Sequence, residues 1–335
     1  MSGLAAAHAL LDAGYTVTLF EKSSGVGGRA ATRKRAGFIY DHGAQYIRQG
    51  NPESVSLITE RFRAPDLVDI SKPVWIFNAQ NQIQEGDPKQ NAESKWTYRS
   101  GITALAKLMA TNLTIRLETR IARLQQTPGG WQLFTSTNQD LGTYDGLLIT
   151  IPAAQAQDLI QASQFSNTLQ SEIASQLQRS RYSQLLSVAL GYSTRLQERP
   201  YYALVNTDKS HAISWLAWEH EKAPERVPKG GSMLIAQMAP GYSEGHREDS
   251  PESLVSDVAE RTAELIAEQL PTPDFTDVQP WRYALPTEKA DAEALNSLTL
   301  PYNLAFCGDA FVGGRVHLAL EHGLSIAHQL IENWS

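Results

Sequence analysis

The sequence has little of what several protein classes require. It holds one cysteine, Cys307, among 335 residues, which excludes an internal disulfide framework and suits a reducing, cytoplasmic setting. Cys307 itself reads as a small buried residue at a strand end rather than a reactive thiol. No window supplies about 20 consecutive apolar residues, so no transmembrane helix is expected. The stretch Leu4 to Ala13 carries His8 and Asp12, lacks a basic leader and is too short to span a bilayer, so it reads as a core helix. Excess basic charge is absent too. The formal net charge of −7, with no Lys/Arg block long enough to form a basic patch, argues against a nucleic-acid binder or a polybasic membrane patch. HExxH does not occur, which weakens a metalloprotease reading. His317, Glu321 and His322 share a C-terminal helical stretch. Glu321 and His322 are adjacent and point apart, and the spacing of His317 and Glu321 is that of an ordinary surface pair, so no metal site is assigned. There is no internal repeat and no low-complexity linker.

What is present starts at the first residues. An apolar helix over Ala5 to Ala13 is followed by Gly14 and by the alternating strand Tyr15-Thr16-Val17-Thr18-Leu19-Phe20, which ends on Glu21. Helix, glycine stop, strand and terminal acid, in that order, make the second half of a βαβ dinucleotide unit. Gly3 stands where the third glycine of GxGxxG lets the helix pack closely on the sheet. Glu21 falls at roughly the distance of 20 residues expected of the acid that accepts hydrogen bonds from a ribose. The first strand and the first two glycines do not precede Gly3, so the chain reads as beginning inside the fingerprint, with its start assigned at an internal methionine. A lone glycine before an alanine-rich helix is common, and Gly3 by itself assigns no phosphate site. The run Lys22-Ser23-Ser24-Gly25-Val26-Gly27-Gly28-Arg29 adds to it. Its glycines let backbone N–H groups approach an anion, and the planar fork of Arg29 suits a phosphate or a flavin-edge oxygen. Asp41-His42-Gly43-Ala44-Gln45-Tyr46 is a second approach of small residues that ends in an amide and an aromatic.

Further along, helices and strands interleave, as in an α/β protein. Leu113 to Leu124 alternates like one strand, and Gly129-Gly130 turns it into Trp131-Gln132-Leu133-Phe134, an antiparallel hairpin signal. Tyr144 to Ile151 is a near-continuous apolar strand of the buried parallel kind, ended by Pro152 and followed by a helix from Ala153 to about Ala162. Ser183 to Gly191, Tyr201 to Val205, Ala212 to Trp218 and Ser232 to Met238 read as strands, and Pro251 to Leu270 has helical periodicity. A strand over Asn303 to Cys307 ends at Gly308-Asp309, and Gly313-Gly314 opens a last helix.

These motifs resemble the FAD-binding domain of the flavin amine oxidase superfamily, and within it the renalase family of FAD-dependent oxidases. The N-terminal glycine, helix, strand and "FEK…GVGGR" pattern carries the resemblance, together with "DHGAQY". Trp281-Arg282-Tyr283-Ala284-Leu285-Pro286 is similar to a "WxYAxP" region, and Phe306-Cys307-Gly308-Asp309 with Gly313-Gly314-Arg315-Val316 to a closing "CGD…GRV" element. The likeness runs from Met1 to about Asn333. It implies an α/β fold in which a Rossmann-like FAD-binding domain (1–50, 97–152, 284–335) carries an inserted mixed β-sheet and helix substrate domain (51–96, 153–283). It also implies noncovalent FAD held by Gly3, Glu21, Lys22, Gly28, Arg29, Gln45, Ile121, Gly308, Asp309, Arg315 and Val316. Asp309 would bind the ribityl chain or organise water at the pyrophosphate, Ile121 would meet the adenine through its backbone, and the helix opening at Arg315-Val316 would face the flavin edge that gains charge on reduction. Tyr46, Trp281 and Tyr283 are candidates for the substrate pocket, and no acid or base is assigned. The implied reaction is oxidation of a small reduced substrate, a dihydronicotinamide isomer of NAD(P)H, with O2 as acceptor and H2O2 as product. Two other readings stay open: an amine oxidase-type flavoenzyme, and a flavin-free or inactive truncated binding protein.

Overall fold

The computed structural model describes residues 1–334. Helix Ser2–Asp12 is alanine-rich and buried along most of its length, and it stops at Gly14, whose φ of +89° suits glycine. It packs against the C-terminal helix Val316–Trp334 so closely that a Cβ on Gly323 would overlap the Ser2 backbone. The two helices share a core with Ile47, Tyr98, Leu105 and Met109. Parallel strand pairs lie beside them. Thr18–Phe20 runs parallel to Thr114–Arg116, and Leu147–Ile149 runs parallel to Leu304–Phe306. The two pairs are not hydrogen-bonded to each other.

The other large layer is a seven-stranded mixed sheet in the order Phe275–Glu288, Arg181–Tyr192, Ser232–Met238, Ile213–Trp218, Ala203–Asn206, Val74–Phe77, Ile83–Gln84. Only the pairing of Ala203–Asn206 with Val74–Phe77 is parallel. One face is covered by the amphipathic helix Pro251–Ile266, which Ser250 caps through a hydrogen bond from the Ser253 N–H and Ala267 ends in the left-handed conformation. The architecture is the α/β arrangement expected, with helices and a mixed sheet. Among the described residues no helix is long and apolar enough to cross a membrane.

Two strand expectations are corrected. Leu113 to Leu124 is not one strand but two, Thr114–Arg116 and Ile121–Thr127. Between them Glu118 takes φ of 50°, and the N–H groups of Glu118 and Thr119 donate to Ser23 O and Glu21 O, so the loop after Glu21 captures the chain. Tyr144 to Ile151 also divides. Tyr144 closes the three-stranded meander by pairing with Trp131, and the parallel strand starts only at Leu147. Gly146 lies between, where a side chain would collide with the Trp334 ring.

Candidate functional site

A continuous cavity of about 3010 Å³ runs between the two layers. One end is formed by the N-terminus of helix Ser2–Asp12, the strand end Thr18 to Lys22 and the stretch Thr119 to Ala122. The other is formed by Gly43 to Tyr46 and by the sheet residues Gln184, Trp215, Gln237, Trp281 and Tyr283. Gly3, Glu21, Lys22, Gly28, Arg29, Gln45, Tyr46, Ile121, Trp281, Tyr283, Asp309, Arg315 and Val316 all line it. Gly308 does not. Its N–H donates to His322 Nδ1 at 3.1 Å, and its φ of +130° turns the chain from strand Leu304–Phe306 toward Asp309.

At the first end, Glu21 follows strand Thr18–Phe20, and its Oε1 accepts the Ser23 N–H at 2.8 Å, which curls the loop beneath it. Gly3 lies against the sheet, since a Cβ there would sit 3.0 Å from Thr150 Oγ1. Helix Ser2–Asp12 has no side-chain cap, so its first N–H groups and partial positive charge are left to whatever occupies the cavity.

In the middle, the Arg29 fork faces protein. Its Nη1 and Nη2 donate to the two Asp309 oxygens, each at 2.7 Å, and Nη1 also reaches Tyr283 O at 3.0 Å. Tyr182 OH adds a third hydrogen bond to Asp309, at 3.1 Å, and burial beside that carboxylate holds the phenol above its ordinary range. The two residues thus neutralise each other, with Nε and one Nη2 hydrogen of Arg29 still free to donate.

At the second end, Gly43 is pressed on the Arg29 backbone so that a Cβ would overlap Arg29 O, and the Ala44 N–H donates to that same oxygen at 2.9 Å. Trp281 Nε1 donates to His42 O at 2.8 Å, and the two rings stack with centroids 5.4 Å apart. Burial, joined by the Arg33 charge, lowers His42 to about 4, so the ring is neutral near pH 7. Tyr46 stacks on Trp215 at 6.0 Å, forming an aromatic wall. Gln45 is buried, with Nε2 donating to Asp41 O at 2.6 Å and Oε1 accepting Lys222 Nζ at 3.0 Å.

Outside the cavity, His322 accepts the Gly308 N–H, while Glu321 accepts hydrogen bonds from the Asn51 N–H and Ser54 Oγ. Burial pushes the Cys307 thiol up to about 12, which leaves it inert as a nucleophile. The sequence reading missed Tyr182, Gln184, Gln237 and the buried charges Asp41, Glu219, Lys222 and Arg226. Gln184 and Gln237 belong to strands Arg181–Tyr192 and Ser232–Met238, whose near-continuous apolar and buried runs give no alternation to mark a face, and the burial of the charges carries no local signal either.

The residues present fit an extended dinucleotide. The helix N-terminus and the strand-end acid lie at one end of a single cavity whose other end is walled by flat rings. A model of the family described as flavin containing amine oxidoreductase matches residues 1–88 and 81–331. Three solved structures have a similar fold. A protein of Exiguobacterium sp. 255-15, provisionally described as a protoporphyrinogen oxidase, superposes with a TM-score of 0.79 at 14% identity, covering 99% of this chain and 96% of that one. Cyclohexylamine oxidase from Brevibacterium oxydans IH-35A gives 0.77 at 13% identity, covering 99% and 97%. A triple mutant of putrescine oxidase, made in a redesign of cofactor binding, gives 0.73 at 13%, covering 99% and 96%. At such identities the likeness speaks for the fold.

Proposed function

The chain belongs to the flavin-containing amine oxidoreductase family, and from that premise we propose that it is an FAD-dependent oxidase of small reduced substrates, most specifically dihydronicotinamide isomers of NAD(P)H. The observation that carries the cofactor reading is the continuity of one cavity from Glu21 to Trp281. Glu21 would accept the ribose hydroxyls, with Lys22 and the backbone of Ile121 beside the adenosine. The N–H groups at Gly3 would hold the pyrophosphate, joined by the backbone at Gly28. Arg29 and Asp309, already paired, would turn their remaining donors and lone pairs to the linking chain. Gln45-Tyr46 and the helix start at Arg315-Val316 would border the flavin ring. Bound FAD supplies a two-electron acceptor for hydride, with O2 as terminal oxidant and H2O2 as product.

The substrate reading rests on charge. Acidic residues do line the cavity, namely Glu21, Asp145, Asp158 and Asp309, but among the described residues the seven-stranded sheet contributes none. Its lining holds the amides Gln184, Asn206 and Gln237 and the cation Arg282. Such a surface suits a carboxamide and a phosphorylated tail better than an ammonium ion. A dihydropyridine delivers hydride without losing a proton first, so the walls have only to orient it and exclude water. The amine oxidase reading is favoured by one observation, the stacked pair Tyr46 and Trp215, since aromatic faces attract cations. The buried thiol of Cys307 suits work in a reducing cytoplasm.

The experiment is anaerobic mixing of the flavin-loaded protein with dihydronicotinamide isomers or with primary amines, followed through the visible flavin bands. Bleaching by the former and colour return with O2 is expected. Bleaching by amines alone would transfer the site to amine oxidation. Absence of flavin bands, even after FAD is added to folded protein, would overturn the reading in favour of a flavin-free binding protein.

A further inference from the structure

Four charged side chains, Asp41, Glu219, Lys222 and Arg226, lie together with 0% of each side chain exposed. Lys222 Nζ is 2.6 Å from Glu219 Oε1 and 3.5 Å from Asp41 Oδ2, and Arg226 pairs with both acids. Arg226 also donates to Thr97 Oγ1 and Tyr98 O, while Asp41 Oδ1 accepts from Thr32 Oγ1 and the Ile102 N–H. Burial alone would raise Asp41, but the charges of Arg226 and Lys222 outweigh it and hold the carboxyl below its ordinary range. The cluster contains two charges of each sign. Removing one leaves its partner buried and uncompensated, whereas a neutral pair removed together costs far less. A cluster of this kind is therefore weak evidence for stability, and its value lies in the geometry that it imposes.

That geometry leads to the cavity. The Lys222 ammonium has three donors and no acceptor, so it can meet the Gln45 amide only at Oε1. Gln45 Nε2 is then turned to Asp41 O and, at 3.1 Å, to Gly43 O. Gly43 O accepts a second amide, Gln237 Nε2 at 2.6 Å, which leaves Gln237 Oε1 as the outward acceptor. Gly43, Ala44, Gln45, Tyr46 and Gln237 all line the cavity, whereas Lys222 does not. We propose that Lys222 is a positioning residue, which through Gln45 and Gly43 fixes the loop Gly43 to Tyr46 and the hydrogen-bonding polarity of the cavity wall at Gln237. The inference rests on the same cavity as the proposed function, but not on any occupant of it.

The test compares wild type with Glu219→Gln/Lys222→Met, which removes one charge of each sign, and with Gln45→Leu, which cuts the link without touching the charges. Hydrogen exchange is followed by mass spectrometry on the full chain as purified. Peptides spanning 41–48 should exchange about tenfold faster in both variants, while peptides from Pro251–Ile266 keep wild-type protection. Combining all three substitutions should add nothing further, because both routes break one chain of contacts. Wild-type protection of 41–48 in the double variant would overturn the proposal. So would an equal loss over Pro251–Ile266, since that marks a general structural role. Titration with FAD, read by quenching of flavin fluorescence, should show about tenfold weaker binding in both variants. A wild type that binds no FAD would refute the cofactor reading, and the exchange comparison would still decide the role of Lys222.

Discussion

Arg29 and Asp309, 280 residues apart in sequence, meet in a two-pronged ion pair with both N–O distances at 2.7 Å. The pair ties the glycine-rich loop after Glu21 to the turn that precedes the C-terminal helix, and both residues line the same cavity. Arg29 also holds the carbonyls of Tyr283 and Ala284, so one side chain joins three distant segments.

Asp309→Asn tests that joint. The amide keeps the shape of the carboxylate but can accept only one of the two charge-assisted bonds. We expect a loss of about 1–2 kcal/mol, at the low end for ionic hydrogen bonds because Arg29 is 29% exposed. The denaturant midpoint measures it. FAD retention through gel filtration should fall in parallel, and an unchanged midpoint would show the pair to be energetically neutral.

His42 sets a pH dependence. Its folded value of about 4 lies below the ordinary 6.5, so between these limits the unfolded chain binds more protons. Stability is therefore fully present above about 6.5 and is lost as pH falls toward 4. Burial gives His220 the same direction and the same value, so the difference between variants is the diagnostic quantity. His42→Gln should flatten the slope of unfolding free energy against pH by about 1.4 kcal/mol per unit in the middle of this window. Urea titrations at several pH values measure it, and an unaltered slope would mean that His42 titrates normally.

Glu21 is expected to hold a ribose. Glu21→Gln keeps the side-chain length and an acceptor for the Ser23 N–H but removes the charge. Hydrogen bonds to an ionised acceptor are about twice as strong as neutral ones, so FAD affinity should drop roughly tenfold with little change in stability. Equal flavin content in the variant and the wild type would refute the assignment.

The N-terminal architecture was legible because its signals are local. The apolar run, Gly14 and the alternating strand to Glu21 each announce themselves within a few residues, and the structure has them in that order. The hairpin around Gly129-Gly130 was legible for the same reason. Strand limits were not. Leu113 to Leu124 has the right alternation for one strand, but contacts with Ser23 and Glu21 break it, and these depend on the folded loop. The ionic cluster was hidden more deeply. Glu219, Lys222 and Arg226, with Glu221 and Glu225 between them, look like a solvated face; they are buried because Asp41 and Gln45 arrive from a distant strand and loop. The pairing of Arg29 with Asp309 is of the same kind: the sequence marks both residues as functional, and only the fold shows that they satisfy each other.

Trp281 is proposed to belong to the substrate end of the cavity and not to the cofactor end. Its indole lines the cavity, stacks on His42 and donates to His42 O, while the residues grouped around Glu21 lie at the far end. Trp281→Ala removes a large flat wall and uncovers the imidazole without touching Gly3, Glu21 or the Arg29–Asp309 pair. Turnover should therefore fall by about tenfold or more through lost positioning, while flavin content stays near that of the wild type. Exposure of His42 should also raise its proton affinity toward the ordinary value, because burial is the first cause of its depression. The pH slope below 6.5 should then flatten in Trp281→Ala much as it does in His42→Gln. Trp281→Phe keeps a stacking ring and removes only the indole donor, so it should recover most of the turnover and the slope. Flavin lost in proportion to activity in Trp281→Ala would instead make the indole part of the cofactor site. Unchanged turnover would remove it from the site altogether.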